Sequence, residues 1–188
     1  MKIIVKSIAL AALFSSATVL ADGKFVDVPA VQYDGALKVA MRQAQSNDAA
    51  KAFPVLLQYA RYGEKVAQNL VGTYFISGVG APQDVAQGIV WMAVSLEQQD
   101  KIWKKNYDQI IAQLSKDQMA QLQILIDQHK AKYGADAQHM TCRSEPRKTG
   151  SSLRIHLCQK IRDKDDDVQI QTFSEDAPIA GAELVVFK

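Results

Sequence analysis

Residues 48–56 read D-A-A-K-A-F-P-V-L and residues 84–92 read D-V-A-Q-G-I-V-W-M. Laid over one another 36 positions apart, with no gap, Asp48 falls on Asp84 and Ala52 on Gly88. Val55 falls on Trp91 and Leu56 on Met92. A period in the thirties is the length of a helix–turn–helix unit that buries its apolar face only by stacking on its neighbours. The two segments are read as equivalent second helices of successive units.

The residues between them fit a first helix and its turn. From Glu64 to Ile76, the residues Val66, Ala67, Leu70, Val71, Tyr74 and Phe75 recur at intervals of three and four, the helical period. Gly63 stops the helix before this one at Tyr62, and Gly78 and Gly80 stop this one. Pro82 favours a turn. Asp84 then supplies an N-cap, its carboxylate accepting from free backbone N–H groups of the next helix. No strand precedes the glycines of 72–80, so they are not a phosphate-binding loop.

Ala67, Gly72, Phe75, Gly78, Gly80, Asp84, Gly88 and Trp91 together resemble a Sel-one-like repeat, the helical-pair relative of the tetratricopeptide repeat. Residues 52–68 resemble the second half of one such repeat running into the next. The resemblance covers about residues 48–96, as one full repeat and a degraded one before it. Gly88 stands where the family usually has alanine, and Val55 where it has tryptophan. Pro54 lies inside the expected second helix, where a proline costs about 3 kcal/mol unless the helix starts there or kinks. The resemblance implies a short helical-repeat array with an adaptor-like role, binding a protein or peptide partner without a cofactor. At the repeat position, Trp91 is read as core rather than as a stacking platform for a ligand.

The flanks extend the helical reading. Residues 34–45 form a generic amphipathic segment that serves as the first helix of the first repeat. Trp103, Tyr107, Ile110, Ile111 and Leu114 share one face. Ser115 with Gln118 makes a capping box for a helix that presents Met119, Leu122, Leu125 and Ile126, leaves His129 on its polar side, and ends at Gly134. This last pair caps the stack. From about His139 the pattern turns to β-branched residues with partial alternation. Residues 154–162, 168–173 and Leu184 to Phe187 are strand candidates. The expected fold is thus mainly α, a short array with capping helices plus a small β-rich C-terminal tail.

Lys2 and Lys6 precede an apolar run from Ser7 to Leu20 that ends Val19-Leu20-Ala21, the three-part pattern of a secretory signal peptide cleaved after Ala21. The run is too short for a stable membrane anchor. The expected organisation is a signal peptide over 1–21, a helical-repeat domain over 22–136 and a tail over 137–188. Without the leader, 20 basic residues balance 20 acidic ones, which gives no general attraction to phosphate backbones and argues against nucleic acid. The destination is periplasmic or secreted, and there the two cysteines, Cys142 and Cys158, are expected to form a disulfide. The tail's Thr149-Gly150-Ser151 between these cysteines resembles a short segment of small exported proteobacterial proteins.

Residues with chemistry to offer are few. His139 and Cys142, with His156 and Cys158, have spacings that could hold zinc or copper, but an oxidising compartment favours the disulfide. Asp163, Asp165 and Asp167 have the opening spacing of a calcium loop, but Val168 replaces its glycine and Glu175 is displaced, so they read as a solvated turn. Ser151 lies in no G-x-S-x-G, the chain has no H-E-x-x-H, and nothing sets a base beside a nucleophile. The expectation is therefore a non-enzymatic binding protein with no catalytic, cofactor or metal residues. The alternative is an envelope enzyme or inhibitor module with the Cys/His tail as its active or metal-binding element.

Overall fold

The computed structural model describes residues 23–46, 48–147 and 152–173. The expected leader over 1–21, the segment Thr149 to Ser151, Glu175 and the strand candidate Leu184 to Phe187 lie outside them. The described residues form a mainly α fold with six α-helices and four strands.

The helices α1 (Ala30–Gln45), α2 (Ala49–Arg61), α3 (Lys65–Ser77) and α4 (Val85–Ser95) are antiparallel neighbours in sequence order. Both α2 and α4 begin one residue after the acid that marks the repeat, so the register read from the sequence is the register of the fold. The two acids bond differently. Asp84 accepts from the Gln87 N–H at 3.0 Å, whereas Asp48 makes no side-chain cap and pairs with Lys51 at 2.8 Å. Lys51 holds the place in its repeat that Gln87 holds in the next, and its ammonium draws the carboxylate away from the helix end.

One expectation about a helix start is corrected, and the place of Pro54 inside α2 is as expected. The helix α1 begins at Ala30 rather than near Asp34, because a strand ends at Pro29 and the Ala30 N–H donates to the Asp166 carbonyl at 2.9 Å. The helix α2 neither begins at Pro54 nor stops for it: it starts five residues earlier and runs through. The ring forfeits one backbone bond in the second turn, and the buried Phe53, Leu56 and Leu57 around it hold the helix in place.

The helices α5 (Lys101–Ile111) and α6 (Lys116–Tyr133) close the array. Asp100 caps α5 through the N–H groups of Ile102 and Trp103, and both bonds of the Ser115–Gln118 capping box are present. Tyr107, Leu122 and Ile126 cover Ile89, Val90, Met92 and Ala93 of α4, the face a terminal repeat would otherwise leave to water.

The tail folds as antiparallel pairs. The strands β2 (Met140–Pro146) and β3 (Arg154–Lys160) pair with Cys142 opposite Cys158. The strand β4 (Asp167–Phe173) makes a single bridge within the tail, Val168 to Arg162, and pairs along its length with β1 (Gly23–Pro29), from Gly23 opposite Phe173 to Pro29 opposite Asp167. Neither β1 nor β2 was expected. The K-F-V-D-V alternation of β1 carries its signal, with Val26 and Val28 turned to the core beside Val168 and Ile170. The first described strand is thereby tied to the last, and the pair packs against α1.

Candidate functional site

The joint between repeats is built around close approach. The carbonyl oxygens of Gly72 in α3 and Gly88 in α4 each lie 2.8 Å from where the other glycine would carry a Cβ. A methyl at position 88 would also sit 2.4 Å from Ile76 Cγ1. The Ile76 side chain thus fills the space that an alanine there would need. Gly80 has φ +76° and sits 2.7 Å from the Ala49 carbonyl oxygen at its Cβ site, so both conformation and space call for glycine. Gly78 closes α3 in the left-handed conformation. Ala67 is fully buried, and Phe75 meets Phe53 edge-on at 5.2 Å.

Trp91 is 3% exposed and lies against Tyr133 at 5.0 Å and His129 at 5.1 Å, both from α6. This corrects the placing of His129 on a polar face. The ring is half-buried edge-on to the indole, and burial lowers its pKa below the usual histidine value.

Cys142 and Cys158 form a disulfide. The His156 ring lies within 4.8 Å of both sulfurs, but they are bonded to each other rather than open as ligands. His139 does not join them: its ring stacks on Phe25 of β1 at 4.0 Å and bonds Gln169. The Asp163 carboxylate accepts from the N–H groups of Asp165 and Asp167, 2.9 Å each, which closes the β3–β4 turn and lowers its pKa. Asp165 pairs with Lys164 and Asp166 with Arg162.

Several concave surfaces are present among the described residues, and two of them contrast in chemistry. The first is an apolar groove of about 350 Å³ between α4 and α6, walled by Val85, Ala86, Ile89, Leu114, Leu122 and Leu125 with Gln118 and Gln121 at its edge. Val85 stays 44% exposed and Leu125 37% exposed, although both belong to apolar helix faces.

The second is a polar cleft of about 280 Å³ where α1, the start of α3 and the end of β3 meet. Tyr33 donates to Glu64 at 2.8 Å, and Tyr59 donates to the Tyr33 carbonyl at 2.6 Å. Lys160 reaches in from β3 and donates to the Gln138 carbonyl at 2.7 Å. Burial lowers the Lys160 pKa to about 7, an effect that the charge of Glu64 opposes. Burial likewise raises Glu64, against the Tyr33 hydrogen bond and the charges of Lys160 and Lys65. Behind the cleft, Lys65 is 1% exposed and pairs with Glu97 at 2.7 Å. Gln138 bonds Gln171 and the Lys132 carbonyl, so this polar layer stitches the helices to both strand pairs.

Reading the sequence missed Glu64, Lys65 and Lys160, the first two as part of a helix start. The signal for Lys160 was parity. It lies two residues from Cys158 on one strand, so a buried disulfide turns the lysine to the same, inner face.

No family model and no curated protein matches the chain. Among solved structures, one similar chain is c5321, a protective antigen present in uropathogenic Escherichia coli strains that displays an SLR fold. The likeness has 20% identity and a TM-score of 0.48, over 55% of this chain and 23% of the antigen. This chain therefore spans less than a quarter of the antigen's length.

Proposed function

We propose that this is an exported, non-enzymatic binding protein whose helical array takes a protein or peptide partner in the groove between α4 and α6. The observation that carries the reading is the groove itself. Its walls are apolar, its floor is the buried Ile89, and Val85 and Leu125 are left half-open to water at its edges. Apolar surface that folding leaves exposed in a concavity is favourable to cover, and a row of apolar side chains from a peptide segment would cover it. In this reading the chain is cut after Ala21, residues 22–136 are the binding domain, and 137–188 form a disulfide-stapled tail that braces it. The protein acts in the periplasm or outside the cell. The disulfide supports that setting, and among the described residues no helix is long and apolar enough to cross a membrane.

The test is crosslinked capture from envelope extract with the 22–188 protein and with its Leu125→Glu variant. The expected result is a protein captured by the first and lost by the second, with unchanged melting. Identical captured sets would overturn the groove as the binding surface.

A further inference from the structure

The polar cleft has its own chemistry, separate from the apolar groove. At about 280 Å³ it falls just below the usual range of ligand pockets, about 300–1,000 Å³, which suits a molecule of few heavy atoms. Two opposite charges line it without being joined. Glu64 is held by the Tyr33 hydroxyl and Lys160 by the Gln138 carbonyl, and among the described residues neither has a further hydrogen bond through its charged group. Lys160 thus uses one of its three donors, and Glu64 one of its two oxygens. At the mouth, Arg162 pairs with Asp34 and Asp166, so its charge is already matched. Leu37 and Val168 supply apolar wall.

We infer that this cleft binds a small zwitterion of the α-amino acid class, its carboxylate at Lys160, its ammonium at Glu64 and a short apolar side chain against Leu37. A lone anion would satisfy Lys160 but face the Glu64 carboxylate, and a lone cation would satisfy Glu64 but face Lys160. A molecule carrying both charges a few bonds apart meets each residue with its complement. Both residues are fixed beforehand by neutral partners, so little ordering is left for the ligand to impose. The depressed Lys160 pKa is in keeping with this: a carboxylate beside the ammonium restores its charge, so binding near neutral pH takes up protons.

Titration calorimetry at pH 7.5 on the 22–188 protein tests it, with L-valine as probe. The comparison compounds are isovalerate, which lacks the ammonium, and isobutylamine, which lacks the carboxylate. The expected result is one saturable valine site with Kd below about 10 mM, at least about tenfold tighter than either analogue. Proton uptake should show as a heat that depends on the buffer's ionisation enthalpy. Lys160→Met and Glu64→Gln should each weaken valine at least about tenfold, and Lys104→Ala, at an exposed residue of α5 outside the cleft lining, should not. If a variant fails to fold, the comparison of analogues on the unaltered protein decides alone. Absence of saturable valine binding would overturn the inference, as would isovalerate or isobutylamine binding as tightly as valine, or full binding in both folded variants.

Discussion

Asp84 and Asp48 occupy equivalent places in successive repeats, but only Asp84 accepts a backbone hydrogen bond with its side chain. Asp84→Ala should cost about 0.5–2 kcal/mol, the usual loss for an N-cap. Asp48→Ala removes an exposed ion pair with Lys51 and should cost less than about 1 kcal/mol. Urea midpoints of the two variants check the order. Lys160 makes a second prediction at this scale. Its folded pKa, about 7, lies below the ordinary lysine value, so between these limits the unfolded chain holds a proton that the folded one has released. Stability from this group therefore rises with pH from about 7, by up to about 1.4 kcal/mol per unit, and is flat below it, where both states are protonated. Lys160→Met should lose that rise. Urea unfolding at pH 6.5 and pH 9 shows it, and an unchanged pH slope in the variant would contradict the buried position of the ammonium.

At the scale of elements, the α3–α4 contact is the tightest joint in the array. Gly88→Ala should destabilise by about 1–3 kcal/mol, because the new methyl meets Ile76 and the Gly72 carbonyl. Gly35→Ala in α1 has nothing within 4 Å of the added methyl and should stabilise by about 0.5–1 kcal/mol through helix propensity alone. Thermal melts of the pair separate close packing from propensity. Replacing both Cys142 and Cys158 by serine should cost about 3 kcal/mol, seen as a lower urea midpoint. Much of this level was legible from local signals: the 36-residue offset placed α2 and α4 in register, and Ser115 and Gln118 marked the start of α6. What escaped was decided by distant partners. The strand β1 is short, follows the expected leader in the sequence and becomes a strand by pairing with β4 more than 130 positions away. The polar cleft joins residues of α1, α3 and β3 that share no local pattern, and Lys160 looks like any exposed strand lysine until the face of Cys158 is known.

At the scale of the whole molecule, the helical array and the strands depend on each other. Val28, Val168, Ile170 and Phe173 belong to the same core as Tyr33, Leu56 and Tyr59, and Phe173 meets Tyr133 at the end of α6. Removing residues 23–29 would uncover that core and strip β4 of its partner, so the shortened chain should lose cooperative melting rather than yield a slightly weaker fold. Among the described residues, the groove between α4 and α6 is lined by helix and loop residues and by none of the strands. Hydrogen-exchange mapping of the 22–188 protein saturated with a captured partner tests the groove as the binding surface most directly. The account predicts new protection at residues 85–89 and 114–125, with little change at 140–160. Protection confined to 140–160 with the groove unchanged would contradict it and make the disulfide-bearing hairpin the binding element.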